Sequence, residues 1–568
     1  MTSQKSSWRQ AAVYQIYPWS FNEDEGRQPQ KGHGSIKGIA EKIPYLREEV
    51  GIDAIWLSPF YPSPMKDGGY DISDLKDVHP DLGTIDDFDE LVRVAHHHGV
   101  KLMADFVPNH TSDQHEWFQK SRKRDGYEDW YIWHPGHVDE NGERQVPNNW
   151  ASVFSMPNRQ ARDRGEMPWL HHDEWTPPVS QWEWDDERQE YYLHSFAKEQ
   201  PDLNWSNPFV REAMKDAMRF WLDHGVDGFR VDAVNHIGKN MKLPNEEVNT
   251  AYNEQWNENP YDQLLRYNSA DYPEALHSYI WEMAQVLKDE KYEDRDLRMV
   301  LEAYVGESEL RDMDAIAPGV ASTFNFGRFY IDWSASHQKI QIDYYYSRLQ
   351  KTAVGNQVNG NHDKTRVATR LGEDFARTAA IMNLFLPGMR FIYNGEELNL
   401  RDAKIPYERL QDPYGGRDPE RTPMIWDTDM PNGGFSNVAP EDLWLPVNEE
   451  DLDRSVASQR AQPKSTLSLF REALKLCHKL DAVQRGSYVS MHTDNDNVLA
   501  YSRRTDDDTV VVLTNFTRET QHVKVFDTDF VIAESILSSN NVREDLGRVD
   551  IRSGITLEPA EALVIIPA

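Results

Sequence analysis

Short apolar runs of the kind that form buried strands alternate along this chain with segments whose apolar residues recur every three to four positions. Helical spacing is clearest over residues 85–97 and 208–224. The strand-like runs cover residues 13–17, 54–58, 101–107, 228–233, 298–303, 322–326, 357–361 and 390–393. Eight strands alternating with helices predict an α/β fold, a (β/α)8 barrel of the TIM type.

Two parts of the chain depart from this alternation. Residues 111–207, between the third and fourth strands, are rich in Trp, His, Asp and Pro and far exceed an ordinary βα loop, so we expect an inserted lid domain over the barrel mouth. From about residue 490 the pattern becomes consecutive short strands at 497–503, 509–515, 522–526, 534–537 and 562–566, typical of an antiparallel β-sandwich. The predicted domains are the barrel (1–110 and 208–489), the lid (111–207) and the C-terminal domain (490–568).

The charge balance narrows the choice of partners. The 568 residues include 61 Lys and Arg against 95 Asp and Glu, which gives a formal net charge of −34. Because such a field repels phosphate, the composition disfavours nucleic acid and anionic membranes as partners and favours a small neutral substrate. No apolar stretch approaches the length of a membrane span. Monomer and homo-oligomer both stay open.

Cysteine usage and the first residues bear on the compartment. Cys477 is the only cysteine, so no internal disulfide can form. Residues 1–11 are polar and lack the charged, apolar and small-residue succession of a secretory signal. These features predict a cytoplasmic protein.

Acidic side chains fall at the ends of the predicted barrel strands, where barrel enzymes carry their chemistry. Asp232 and Glu302 end neighbouring strands, and Asp363 follows a later one. Cleavage of a glycosidic bond needs one carboxylic acid and one carboxylate on opposite sides of the anomeric carbon. Arg230 lies two residues before Asp232, hence on the same face, and is expected to keep that aspartate ionised by lowering its pKa.

Two histidines accompany the acids. His110 and His362 each follow an asparagine near a strand end, where they are suited to bind sugar hydroxyl groups. Neither belongs to a His-x-x-x-His pair or a cysteine cluster, so the sequence disfavours a metal site. The combination predicts a carbohydrate-cleaving site.

These motifs resemble a known family. Residues 105–110, 228–232, Glu302 and 361–363 are similar to the four motif regions of the α-amylase superfamily, glycoside hydrolase family 13. Residues 12–18, 67–72, 200–205 and 421–424 resemble its oligo-1,6-glucosidase and α-glucosidase branch. The resemblance extends from about Trp8 to the C-terminus.

The resemblance implies roles for individual residues. Asp232 would be the nucleophile, Glu302 the general acid/base and Asp363 the transition-state stabiliser of a retaining double displacement. It implies that Asp67 and Arg421 close the blind end of the pocket, which makes the enzyme exo-acting. The residues implied to bind the non-reducing glucose are Asp67, Tyr70, His110, Arg230, His362 and Arg421, with Phe154 as a stacking wall.

The chain departs from the branch in two places. A calcium or magnesium loop with regularly spaced aspartates is replaced by residues 22–35, which lack that spacing, so we expect no cofactor. Residues 327–333 lack the Arg-Leu-Asp-Arg-Asp segment of similar enzymes that isomerise sucrose. Ala233 follows the nucleophile where relatives that prefer α-1,6 bonds tend to have valine, which favours maltose-like α-1,4 substrates, with α-1,6 bonds and sucrose as further candidates.

The sequence therefore predicts a glycoside hydrolase, a retaining exo-acting α-glucosidase that releases α-glucose from short α-glucosides. A transglucosylase or a sucrose or maltose isomerase that uses the same acids remains the alternative. A non-catalytic carbohydrate-binding protein on the same barrel is disfavoured, because it requires the loss of acids that are all present.

Overall fold

The computed structural model of the protein describes residues 7–154, 179–252, 260–304, 313–349, 353–412, 416–528, 530–540 and 547–568. Within these ranges no helix is both long and apolar enough to cross a lipid bilayer.

The predicted barrel is confirmed. Its strands, numbered 1 to 8 along the chain, are Ala12–Ile16, Ala54–Leu57, Lys101–Phe106, Gly228–Val231, Arg298–Leu301, Ala321–Thr323, Asn356–Val358 and Met389–Tyr393. They pair in parallel from strand 6 through 5, 4, 3, 2, 1 and 8 to strand 7. Most of them end a few residues earlier than the apolar runs, because the last residues of those runs turn into the loops that carry the site.

Strands 6 and 7 meet through a side chain. The amide of Asn356 donates to Thr323 O at 2.6 Å and accepts from Asn325 N at 2.9 Å, so it bridges the two edges of the sheet. Parallel edges that lack a ladder would leave backbone groups without partners. Asn356 therefore completes the ring of strands where their main chains stay apart.

Successive strand residues face opposite sides of the barrel wall. Trp56 and Val300 belong to a buried cluster inside the barrel. Their neighbours Ile55 and Leu301 belong to the larger cluster that includes the surrounding helices. This alternation decides which side chains beyond each strand end point into the barrel mouth.

Amphipathic helices cover the outside of the barrel. The helix predicted at 85–97 is Ile85–His97, and a capping box between Thr84 and Asp87 fixes its start. The helix predicted at 208–224 is Pro208–Asp223, begins after the cap Asn207 and ends one residue early, because His224 is the C-cap. The other long barrel helices are Ile36–Pro44, Pro273–Leu287, Ala335–Arg348, Glu373–Leu384 and Thr466–Lys479.

The connection after strand 3 carries structure of its own, as expected for a lid. It contains the helix Glu116–Arg122 and a three-stranded sheet of Trp133–His134, Trp182–Asp185 and Glu190–Leu193. Trp150, Trp182 and Leu193 form part of its small apolar core. Residues 155–178 of the predicted 111–207 segment lie outside the described residues, and the boundaries of this domain stay a prediction.

The C-terminal β domain is confirmed as antiparallel. A six-stranded sheet contains Ser487–Ser490, Val498–Arg504, Thr509–Asn515, Ala562–Pro567, Ile532–Ser538 and Arg548–Asp550. The strand predicted at 522–526 is Gln521–Val523, and it pairs with Ile555–Leu557 in a separate two-stranded sheet. Arg503 ties the domain to the barrel, since its guanidinium donates to Phe385 O at 3.0 Å and Val483 O at 2.8 Å.

Candidate active site

Two acids are placed side by side by the register of strands 4 and 5. Val231 pairs with Leu301, and Asp232 and Glu302 are the next residues on each strand. The backbone N–H of Glu302 donates to Val231 O at 2.8 Å, which continues the ladder past the strand ends. Alternation from Val300 turns Glu302 into the barrel mouth. Neighbouring parallel strands lie about 4.8 Å apart, so the two carboxyl groups share one small volume.

One guanidinium group joins both acids. Arg230 Nη1 lies 2.6 Å from Asp232 Oδ1, and Nη2 lies 2.6 Å from Glu302 Oε2. Asp105, on the adjacent strand 3 and in register with Arg230, accepts from Nη1 at 2.9 Å. Arg230 is only 1% exposed, so this cation is committed to three buried carboxyl groups.

Burial dominates the titration of Asp232. It raises the pKa of Asp232 well above its usual range, Arg230 opposes the shift, and the nearby Glu302 adds to it. Arg230 does lower the pKa of Asp232, as expected, but the effect of burial is larger and the net shift is upwards. The negative charge of Glu302 makes ionisation of Asp232 harder, because two like charges this close repel each other.

Asp363 is held in the opposite state. Its Oδ1 lies 2.7 Å from Arg421 Nη2 and 3.1 Å from Arg417 Nη1, and its Oδ2 lies 3.4 Å from His362 Nε2. Burial would raise the pKa of Asp363, but the N–H of His362 and the two guanidinium groups outweigh it and hold that pKa far below its usual range. Asp363 is a permanent carboxylate.

His362 and Tyr70 link Asp363 to Arg230. Gln15 Nε2 lies 2.7 Å from His362 Nδ1, which assigns the ring proton to Nε2, 2.7 Å from the hydroxyl of Tyr70. The two rings stack with centroids 5.3 Å apart. Tyr70 also receives a hydrogen bond from Arg230 Nη1 at 3.2 Å. Burial lowers the pKa of His362 well below its usual value, so the imidazole is neutral.

Asp67 forms its ion pair with Arg417, not with Arg421, the arginine that the resemblance places beside it. Asp67 Oδ1 lies 2.5 Å from Nη2 of Arg417, whereas Arg421 contacts Asp363. Gln200 donates to Asp67 Oδ2 at 2.9 Å and lies 3.0 Å from His110 Nε2. Burial lowers the pKa of His110 to about 4, which keeps this histidine neutral as well.

Aromatic rings form one wall. The guanidinium carbon of Arg417 lies 5.6 Å from the ring centroid of Phe154. Phe196 packs against Phe154 at 5.7 Å and against His110 at 5.3 Å. Phe196 in turn packs on His236 at 4.9 Å, four residues beyond Asp232. These contacts run from Arg417 through the two phenylalanines to His236, in the segment that follows Asp232.

All of the predicted site residues belong to one connected set of contacts. Sequence reasoning missed several members of the set, and three of these lay within or near segments already singled out. Asp105 opens the segment 105–110, Gln200 opens 200–205, and Arg417 lies four residues before Arg421. Phe196 had no signal beyond its proximity to Gln200.

The loop 22–35 uses its acids within the protein. Glu23 accepts from the backbone of Lys31 at 2.5 Å and from Gly32 at 3.2 Å, and Asp24 accepts from Ser35 at 2.9 Å. In the part of the chain that the structure describes, no group of three or more acidic, His or Cys side chains is suited to hold a metal ion. Glu23 and Asp24 thus face backbone and hydroxyl donors of the protein itself.

The arginine in the segment compared with sucrose isomerases is buried and bonded within the barrel. The segment begins with the short helix Gly327–Tyr330. Arg328 is buried and donates to Gln338 Oε1 at 2.8 Å and to Gln357 Oε1 at 3.2 Å. The nearest arginine to the isomerase motif is thus used for packing.

Comparisons with known proteins agree with this geometry. The model of the α-amylase catalytic domain matches residues 15–486. An α-glucosidase from Apis mellifera is 38% identical over 550 residues, covering 94% of this chain and 89% of its own. An oligo-1,6-glucosidase from Parageobacillus thermoglucosidasius is 33% identical over 604 residues, covering 98% of each chain.

Solved structures show the same fold over nearly the whole chain. An α-glucosyl transfer enzyme, XgtA, superposes with a TM-score of 0.84 at 30% identity, covering 99% of this chain and 100% of its own. The trehalulose synthase MutB from Pseudomonas mesoacidophila MX-45 gives 0.80 at 29% identity, covering 98% and 99%.

A barrel whose rim gathers paired carboxyl groups among buried polar side chains is that of a glycoside hydrolase. Since the catalytic-domain model matches most of its length, the chain belongs to the α-amylase family.

Proposed function

We propose that this protein is a retaining exo-acting α-glucosidase that releases α-glucose from the non-reducing end of short α-glucosides. The observation that carries the proposal is the Arg230 guanidinium between Asp232 and Glu302, 2.6 Å from each. The names of relatives described as α-glucosidase, maltase and oligo-1,6-glucosidase support it.

In the proposed first step, Asp232 attacks the anomeric carbon while Glu302 gives its proton to the departing glycosidic oxygen. The C–O bond to the leaving sugar breaks as the bond to the carboxylate forms, which yields a β-glucosyl ester. In the second step Glu302, now a carboxylate, takes a proton from water, and the resulting oxygen displaces Asp232 from the opposite face. Two inversions release α-glucose.

The other residues bind the sugar and stabilise charge. Asp363, an anion fixed by two arginines, is proposed to accept hydrogen bonds from sugar hydroxyls and to stabilise positive charge that develops at the anomeric carbon. We propose that the neutral His110 and His362 line the sugar site, where the Nε2–H of His362 orients the hydroxyl of Tyr70 at 2.7 Å. Charge that is already oriented costs no rearrangement during the reaction.

The substrate follows from shape and charge. We propose that the Asp67–Arg417 ion pair blocks the passage of a longer sugar chain, which would restrict the enzyme to chain ends. A net charge of −34 disfavours anionic substrates. Ala233 leaves room beside the leaving sugar, which supports maltose-like α-1,4 substrates ahead of α-1,6-linked glucosides and sucrose.

The test combines product stereochemistry with one variant. Hydrolysis of p-nitrophenyl α-glucoside, which releases one glucose per turnover, is expected to show α-glucose first by NMR, with β-glucose appearing only by mutarotation. Asp232→Asn is expected to fold like the wild type and to lose turnover of p-nitrophenyl α-glucoside. Initial release of β-glucose, or wild-type turnover in the variant, would refute the mechanism.

Transfer to a sugar hydroxyl in place of water is the second candidate function. The likeness to XgtA, described as an α-glucosyl transfer enzyme, and to the trehalulose synthase MutB favours it. The segment 327–333 argues against isomerisation, since its buried arginine faces Gln338 and Gln357. Product analysis at high maltose concentration separates the two, because a transferase would yield oligosaccharides with little free glucose.

We further propose that catalysis needs no metal or organic cofactor, because the acids of the loop 22–35 are bound to backbone and hydroxyl groups. Dialysis against EDTA is expected to leave kcat unchanged, and loss of activity that calcium restores would contradict this. A cytoplasmic location is also proposed, and the single cysteine of the sequence supports it.

A further inference from the structure

The closed end of the pocket depends on how one guanidinium group is aimed. Arg417 reaches Asp67 Oδ1 at 2.5 Å through Nη2 and Asp363 Oδ1 at 3.1 Å through Nη1. It therefore spans the space between two carboxylates that stand on different loops. A long, flexible side chain holds such a position only when further contacts fix its guanidinium plane.

Asp412 supplies those contacts. Its Oδ2 accepts from Nε of Arg417 at 2.7 Å and from the backbone N–H of the same residue at 3.0 Å, while Oδ1 accepts from Nη2 at 3.1 Å. The bond pattern fixes both the main chain and the plane of the side chain. Asp412 is 3% exposed, and its own backbone N–H donates to Asp418 Oδ2 at 3.0 Å.

Asp67 is held independently of Arg417. Its backbone N–H donates to Asp71 Oδ1 at 3.0 Å, and the same carboxylate receives the hydroxyl of Ser63 at 2.9 Å. Loss of the Asp412 contacts would thus free Arg417 while Asp67 stays in place. The two members of the pair can be disturbed separately.

We propose that Asp412 is a positioning residue that aims Arg417 across the end of the pocket, and that it thereby restricts the enzyme to substrates with a free non-reducing end. The inference rests on the proposed exo-acting function. Asp412 acts through Arg417, because its carboxylate accepts from Nε, Nη2 and the backbone N–H of that arginine.

The test is Asp412→Asn, which keeps the size of the side chain but offers a single oxygen to the guanidinium fork. We expect KM for maltose to rise about tenfold with a much smaller change in kcat, because the terminal glucose is bound alike in ground and transition states. We also expect release of nitrophenol from a p-nitrophenyl α-maltoside whose non-reducing glucose is capped at O4 and O6. The wild type should leave that capped substrate intact.

Asp427→Asn is the matched control. Asp427 lies in the same connection and accepts from the backbone of Asp429 at 3.0 Å, with no contact to Arg417 among the described residues. It should retain the wild-type KM and the rejection of the capped substrate. Should Asp412→Asn fold poorly, Asp412→Glu is the second variant, because it keeps the charge but displaces the oxygens. It is also expected to raise KM for maltose and to hydrolyse the capped substrate.

Arg417→Gln should reproduce both changes if Asp412 acts through Arg417. A folded Asp412→Asn enzyme that keeps the wild-type KM and still rejects the capped substrate would overturn the inference. If the wild type itself fails to hydrolyse uncapped p-nitrophenyl α-glucoside, the proposed function fails instead, and the two failures are distinguishable.

Discussion

Arg230 Nη2 lies 2.6 Å from Glu302 Oε2, while the other nitrogen of the same fork lies 2.6 Å from Asp232. The planar guanidinium group bonds to two carboxyl groups on neighbouring strands through two separate nitrogens. The ammonium group of a lysine has a single nitrogen and would contact one of them. Arg230 is therefore expected to set the spacing of the two acids as well as their charge.

Arg230→Lys should lower kcat by about 10²-fold or more, because the charge remains but the two-point geometry is lost. Steady-state kinetics with p-nitrophenyl α-glucoside, together with thermal unfolding to confirm the fold, measures this. A folded lysine variant within threefold of the wild-type kcat would show that charge alone suffices.

Glycine at position 68 leaves room for Arg421. A Cβ built there would collide with Arg421 Nη1 and lie 3.1 Å from the hydroxyl of Tyr17, and its φ is +56°. Gly99 has a similar φ of +71° but no atom within 4 Å of the same position. Alanine at either site carries about 1–2 kcal/mol of backbone strain, whereas the collision is specific to Gly68.

Gly68→Ala should therefore raise KM and lower kcat, since displaced Arg421 no longer holds Asp363, while Gly99→Ala should lose only stability. Kinetics and urea unfolding of both variants test this. Equal kcat and KM in the two variants would mean that the backbone of residues 66–71 shifts to accommodate the alanine while Arg421 stays in place.

The barrel strands were predicted because they depend on local pattern, and the structure has Asp232 and Glu302 at neighbouring strand ends, as that pattern indicates. Asp232 and Glu302 follow apolar runs directly, and parallel pairing brings the ends of such runs together whatever the loops do. Arg417 was missed because its partner is set by the path of the connection after strand 8, which has no periodicity. Arg417 and Arg421 lie four residues apart, and the sequence does not indicate which of them contacts Asp67 and which contacts Asp363.

The C-terminal sheet shows the same limit. The runs at 497–503 and 509–515 are long and apolar, and they appear as Val498–Arg504 and Thr509–Asn515. The strands Arg548–Asp550 and Ile555–Leu557 were not predicted, because three residues between polar turns give too little alternation to distinguish a strand from a loop.

Asp314 should make the protein less stable as pH rises. It is 5% exposed and accepts from Thr323 N at 2.7 Å, and burial raises its pKa to about 7. In the unfolded chain an aspartate titrates near its ordinary value of about 3.9, so between these pKa values the folded form binds the extra proton. The free energy of unfolding therefore falls as pH rises from about 4 to about 7.

The three-unit shift corresponds to about 4 kcal/mol at most. Asp314→Asn removes this titration, so the stability difference between variant and wild type should grow in favour of the variant from pH 4.5 to pH 7.5. Urea unfolding at several pH values measures it. A difference that stays constant across that range would show that Asp314 is ionised in the folded protein throughout.

Lys239 joins the barrel to the lid through a buried ion pair. Its Nζ lies 3.0 Å from Asp202 Oδ2 and 2.9 Å from Asn109 Oδ1, and Asp202 also accepts from Ser195 Oγ at 2.6 Å. Lys239→Met would leave the carboxylate buried without its cation, which costs about 3–5 kcal/mol. Adding Asp202→Asn removes that stranded charge, so the double variant should recover part of the loss. Urea unfolding of the two single variants and the double variant gives the coupling, and strictly additive losses would show that the two side chains do not depend on each other.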